Sequence, residues 1–317
     1  MHPLHQGRQG DEGRLTPSPR LRAPLPSTER LHPRSVDLHA RSALEVVRRL
    51  HAEDLRAVRA AGRALDRIAR AAEWAARALA SGGRLIWVGA GTSGRLGALD
   101  AAECPPTFGT RPSQVVAVVA GGTRALRASV EGAEDDPEEG AARMRRLRVG
   151  PRDLACGISA GGRTPFVLGA LAEARRRGAR TALICCVDRP PRPAPADLVI
   201  AMPTGPELIA GSTRLKAGTA TKLALNAVST AAMVQLGKVF RGRMTSLQPT
   251  NEKLRRRALR TVADLSGASL ARSRRLLAGA GGRVDVAVAM ALTGRPAREA
   301  AALLRRGRGL RGLERLR

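Results

Sequence analysis

Apolar positions along this chain keep two different rhythms. Up to about residue 80 they recur every three or four positions, the period of one helix face. Ser42-Ala43-Leu44-Glu45 reads as a capping box opening a helix that carries Val46, Val47 and Leu50. A second helix is expected to follow with Leu55, Val58, Leu65, Ile68 and Ala72, stopped by Ser81-Gly82-Gly83. From residue 84 the pattern changes to short apolar runs at 84–88, 115–120, 153–159, 181–187 and 198–202, with helical segments such as 164–177 between most of them. Such runs belong to strands covered on both faces, so the sequence predicts an α/β fold with a doubly wound, mostly parallel five-stranded sheet. A long helix is expected from about 216 to 236. Beyond Pro249 the strands stop, and 251–317 reads as three or four short helices with glycine breaks. Residues 1–26, rich in Pro, Arg and Gly without periodicity, are expected to be a disordered extension. The expected division is 1–26, a sheet domain over 27–249 and a small helical bundle over 250–317.

Three turns carry candidate chemistry. Leu85-Ile86-Trp87-Val88 runs into Gly89-Ala90-Gly91-Thr92-Ser93-Gly94-Arg95, which enters a helical pattern. Free backbone N–H groups at such a helix start cradle a phosphate or another anion. Ser159-Ala160-Gly161-Gly162-Arg163-Thr164-Pro165 ends the third strand, and Gly211-Ser212-Thr213-Arg214-Leu215-Lys216-Ala217-Gly218-Thr219 leads into the long helix. Several such turns at strand ends in a doubly wound sheet argue for one shared ligand crevice. Candidate phosphate contacts are therefore Gly91, Thr92, Ser93, Gly94, Arg95, Ser159, Gly162, Arg163, Thr164, Ser212, Thr213 and Lys216. Gly89-x-Gly91-x-x-Gly94 also matches the dinucleotide fingerprint, but the second strand ends in Ala120-Gly121-Gly122-Thr123, without the acid that would hold a ribose. The hydroxyls of Thr92 and Ser93 suit a terminal phosphate monoester better than a pyrophosphate.

Two carboxylates stand near these turns. Glu103 lies in Asp100-Ala101-Ala102-Glu103-Cys104-Pro105-Pro106-Thr107, and Glu134 in the acidic run Glu131-Gly132-Ala133-Glu134-Asp135-Asp136. Asp136, Glu138 and Glu139 read as an ordinary acidic helix start. Glu103 and Glu134, in different environments, can hold different protonation states and share acid–base work.

Composition removes other classes. The chain has 317 residues, enough for one large or two modest domains. Aromatics are only 2%, with no Tyr, so the core must be aliphatic. No apolar run approaches the roughly 20 residues that span a bilayer. The start lacks the apolar core of a signal peptide, which points to the cytoplasm. Net charge is +28, but the excess is arginine spread along the chain without interleaved aromatics, so no specific nucleic-acid partner is expected. Cys104, Cys156, Cys185 and Cys186 form no C-x-x-C pair, and all five histidines precede the first turn, so no metal site is expected. A histidine could serve the site only if the N-terminal arm folded back.

Val88-Gly89-Ala90-Gly91-Thr92-Ser93-Gly94-Arg95-Leu96-Gly97, Ala102-Glu103-Cys104-Pro105-Pro106-Thr107-Phe108-Gly109, Val130-Glu131-Gly132-Ala133-Glu134-Asp135, the Gly211 turn and Thr250-Asn251-Glu252-Lys253-Leu254 stand in one order. Together they resemble the N-acetylmuramic acid 6-phosphate etherases of the sugar isomerase (SIS) superfamily, from about Thr28 onward. The resemblance implies cleavage of the D-lactyl ether at C3 of the sugar, giving N-acetylglucosamine 6-phosphate and D-lactate. It implies elimination and then hydration, with neither metal nor redox cofactor. Glu103 matches the family's proton donor and Glu134 its second catalytic acid, read here as the base at C2. It also implies a homodimer with shared active sites, no membrane partner and a ubiquitin-associated-like C-terminal bundle. Departures are Gly161 where the family usually carries serine, Thr221 and Phe166 in place of Gln and Tyr, and His32 in place of an early Asn. Rival readings are a phosphosugar aldose–ketose isomerase, which would release no D-lactate, and a non-catalytic phosphosugar sensor.

Overall fold

Each apolar run becomes a strand, within two residues of its expected ends. The computed structural model describes residues 25–188, 190, 196–247, 249, 251–306 and 309–314. The expectation of disorder over 1–26 therefore lies, apart from Leu25 and Pro26, outside the described residues.

The strands are β1 (Leu85–Gly89), β2 (Val115–Val119), β3 (Leu154–Ile158), β4 (Arg180–Cys185) and β5 (Leu198–Ala201). They form one sheet in the order β2-β1-β3-β4-β5, and every pairing is parallel. Alternate residues of a strand face opposite sides, and both sides are covered. Trp87, Cys156 and Ile184 pack under α2 (Leu65–Ala80), α3 (Gly91–Phe108) and α6 (Lys216–Gln235). Ile86, Val88 and Leu183 pack under α4 (Pro137–Arg146) and α5 (Pro165–Arg176), against Phe166, Leu171 and Met144. A third cluster gathers Phe240 and Leu247 with the C-terminal helices α7 (Glu252–Ser266), α8 (Leu270–Gly279), α9 (Val284–Thr293), α10 (Ala297–Arg306) and α11 (Arg311–Glu314).

The N-terminal helices depart from expectation. The capping box forms, with Glu45 N–H donating to Ser42 Oγ and Ser42 N–H to Glu45. But α1 (Ala43–Gly62) runs unbroken through Leu55 and Val58, and α2 starts only at Leu65. The side of α1 that packs on α6 is the small one, Ala57, Ala60 and Ala61, with Glu53. Leu44, Val47, Leu55 and Val58 lie on another face and stay 47–59% exposed. Close approach to α6 selected alanine, which left the larger apolar side chains outside.

At β1 a close approach fixes two glycines. A Cβ on Gly94 would lie 2.7 Å from the Gly89 carbonyl oxygen, and one on Gly89 would lie 2.6 Å from the Gly94 nitrogen. The first turn of α3 therefore sits directly on the end of β1. Gly91 takes φ +51°, the left-handed conformation that glycine adopts without steric cost.

Candidate active site

The strand order reverses between β1 and β3, and in open parallel sheets the ligand crevice opens there, outside the carboxyl ends of the strands. Gly89 is in register with Ile158, so the turns after β1 and β3 lie side by side. The start of α6 joins them: a Cβ on Gly218 would stand 3.7 Å from Thr92 Cγ2. Three segments far apart in sequence thus meet at the carboxyl end of the sheet.

Their side chains are not equivalent. The hydroxyls of Thr92, Ser93, Ser212 and Thr213 make no hydrogen bond among the described residues, and all four residues are partly exposed. Ser159 and Thr164 instead bond each other, Oγ to Oγ1 at 2.7 Å, and Thr164 N–H donates to Ser159 Oγ at 3.3 Å. That pair shapes the β3 turn around Gly162, whose φ is +71°. Arg163 is exposed beside it without an acidic partner among the described residues. Arg95 turns away, its Nε donating to the Ala125 carbonyl (2.9 Å) and a terminal nitrogen to that of Ala128 (3.2 Å). Lys216 departs furthest from its expected role. It is 1% exposed, and its Nζ donates to Glu53 Oε2 at 2.5 Å.

Glu134 is exposed in the loop before α4, and its carbonyl accepts from Phe166 N–H at 3.0 Å, which ties this loop to the start of α5 and the β3 turn. Asp136 caps α4 by accepting from Glu139 N–H, while Glu138 and Glu139 pair with arginines of that helix, the role read from the sequence. Glu103 is exposed on α3, twelve residues past Gly91. At ~1.5 Å rise per residue that is about 18 Å down the helix from the turn. Within its own protomer Glu103 therefore lies well down α3 from the β1 turn. Nearby Asp100 is buried, accepting from Trp87 Nε1 (2.9 Å) and Ser229 Oγ (2.7 Å), and burial raises its carboxyl despite those bonds. It joins β1, α3 and α6. Burial likewise pushes the Cys104 thiol up to about 12, so it is no nucleophile.

A buried ionic network behind the crevice had almost no signal in the sequence. The arm folds back and sets His32, 3% exposed, with Nε2 at 3.3 Å from Glu53 Oε1. Burial lowers the His32 ring below its ordinary value, and its Nδ1 accepts from Arg34 N–H, so the neutral Nε2–H form faces Glu53. Glu207, 1% exposed, accepts from the Lys216 and Ala217 amides at 3.3 and 2.9 Å, which fills the start of α6 with a carboxylate. Burial raises the Glu207 carboxyl. An acid at position 53, amid the alanines of a helix face, was the one legible hint.

Comparison with known proteins places this chain. A family profile described as the glucokinase regulatory protein N-terminal SIS domain matches residues 67–175. The N-acetylmuramic acid 6-phosphate etherase of Cutibacterium acnes is 47% identical over 280 residues, 88% of this chain and 92% of that protein. The one from Gloeobacter violaceus is 50% identical over 83% of this chain and 86% of its own. Among solved structures, a phosphoheptose isomerase from Francisella tularensis is similar at 17% identity and a TM-score of 0.49, covering 61% of this chain and 98% of that one.

Proposed function

The chain belongs to the N-acetylmuramic acid 6-phosphate etherases, which are carbon–oxygen lyases, and from that premise we propose how its own residues do the work. The phosphate of the sugar is held at the β1/β3 switch point by the amides of Thr92 and Ser93 and the hydroxyls of Thr92, Ser93, Ser212 and Thr213, with Arg163 beside them. The sugar opens to its aldehyde, which acidifies the C2 proton. Glu134 takes that proton, the C3–O bond breaks, and Glu103 gives a proton to the departing D-lactate oxygen. Water then adds at C3, and N-acetylglucosamine 6-phosphate is left.

The observation that carries this reading is the convergence of uncommitted hydroxyls at the switch point, in a chain half identical to curated etherases. The reaction fits a site furnished with carboxylates. Glu103 serves the crevice of a second copy, which makes the working unit a homodimer. Leu99, 50% exposed, shares the outer face of α3 with Glu103, and the bare apolar stripe on α1 also calls for cover. The four free thiols suit a reducing, cytoplasmic compartment. Among the described residues no single helix is long and apolar enough to cross a membrane.

Incubation with the substrate in heavy-oxygen water is the direct test. Label is expected at C3 of the product sugar, with one D-lactate released per turnover. Label in the lactate, or an isomerised sugar without lactate, would overturn the elimination scheme.

Gly161 offers a finer test. A Cβ there would meet nothing within 4 Å, and its φ is not left-handed, so serine fits without strain. A hydroxyl reaching a phosphate dianion adds a charge-assisted bond, so Gly161→Ser is expected to lower KM about tenfold at unchanged kcat. An unmoved KM would mean that the phosphate does not reach this turn.

A further inference from the structure

The arm that precedes α1 presents polar groups to which the scheme above gives no task. Two anchors fix its course. The Thr28 carbonyl accepts from Gly211 N–H at 3.2 Å, and the ring of His32 lies against Glu53. Leu25, Pro26, Ser27 and Arg30 then form one wall of a cavity of about 480 Å³. The facing wall is Gly161 and Arg163 of the β3 turn, with Val187 and Asp188 after β4.

Two features mark this cavity as a built site. Ser27 is only 9% exposed, yet its Oγ is buried without any hydrogen-bond partner. A buried hydroxyl left unpaired is costly, and a ligand acceptor would relieve that cost. Arg30 is the second feature. Its Nε donates to the Leu25 carbonyl at 3.2 Å, which steadies the guanidinium while its two terminal nitrogens keep no acidic partner among the described residues. Arg163 faces it from the β3 turn, equally unpaired, and Asp188 is the single acid on the described walls. The local balance is cationic.

We propose that Ser27 and Arg30, on the arm wall of this cavity, bind the carboxylate of the substrate's lactyl ether, while the phosphate lies against the turns opposite, Arg163 among them. This rests on the etherase reading, because that substrate carries two anions and needs two places for them. The hydroxyl-bearing turns at the switch point serve the phosphate. The arm cavity adjoins the β3 turn, so one ligand can reach both. A guanidinium edge with a hydroxyl beside it matches a planar carboxylate through paired donors. No covalent step is involved; the arm holds the leaving group's charged end while the C3–O bond breaks.

The test sets two ligands against each other in the full chain. N-acetylmuramic acid 6-phosphate carries both anions, whereas the product N-acetylglucosamine 6-phosphate keeps only the phosphate. Arg30→Ala is expected to raise KM for the substrate at least tenfold and to leave the product's inhibition constant within twofold. Ser27→Ala should move KM severalfold in the same direction, and Arg30→Lys should recover part of the loss. An unchanged KM overturns the carboxylate assignment, and so does a parallel rise in both constants, which would mark a phosphate contact. Wild-type protein that released no D-lactate would overturn the etherase reading and this assignment with it. D-lactate release combined with an indifferent Arg30→Ala overturns the assignment alone.

Discussion

Glu103→Gln is expected to cut D-lactate release about a thousandfold while leaving phosphosugar binding within about twofold, since positioned acid–base groups contribute about 10²–10⁴. The substitution keeps size and polarity, and the residue is exposed, so folding should not suffer. What disappears is the proton for the leaving oxygen, which departs poorly as an alkoxide. The placement of Glu103 down α3 adds a sharper expectation. If it serves the partner's crevice, proteins carrying Glu103→Gln and Glu134→Gln, each inactive, should complement when mixed. Random exchange of subunits makes half the dimers mixed, and each of those carries one intact site, so roughly a quarter of wild-type activity should return. Absence of recovery after verified subunit exchange would place both carboxylates on one chain and remove the shared-site scheme.

The sheet was legible in the sequence because its strands are covered on both faces, so each reads as a continuous apolar run with little ambiguity. The turns were legible for a related reason: glycine and hydroxyl residues at strand ends have few structural uses besides close approach and anion contact. Helix facing was harder. Leu55 and Val58 continue the spacing that runs into Leu65 and Ile68, but spacing cannot tell a face packed on α6 from one left for a second copy. Hydroxyls in a turn are also not all available, as Ser159 and Thr164 show by bonding each other. Pairings across long sequence separations were invisible. The partner of Lys216 lies 163 residues earlier, on a helix that the pattern treated as a simple amphipath.

That pair supports the second large prediction, which decides what Lys216 does. Glu53→Gln leaves the Lys216 ammonium buried and unmatched, and breaking a buried ion pair from one side costs about 3–5 kcal/mol. The melting midpoint should fall on the order of 10 °C. Burial raises the Glu53 carboxyl, but the bond and charge of Lys216 outweigh it and hold the group below its ordinary value. Its contribution to stability is therefore complete above the ordinary carboxylate range and is lost as pH falls toward the lowered folded value. The Glu53→Gln protein should lack that part of the acid sensitivity. Replacing both partners, as Glu53→Leu with Lys216→Met, should recover much of the loss, because neither charge is then left uncompensated. If Lys216→Met instead melted like the wild type and weakened phosphosugar binding more than tenfold, the lysine would be a phosphate ligand, as the sequence suggested. The geometry favours the other outcome, in which the ammonium fastens α6 to α1 and holds the Ser212 turn at the crevice without touching the substrate.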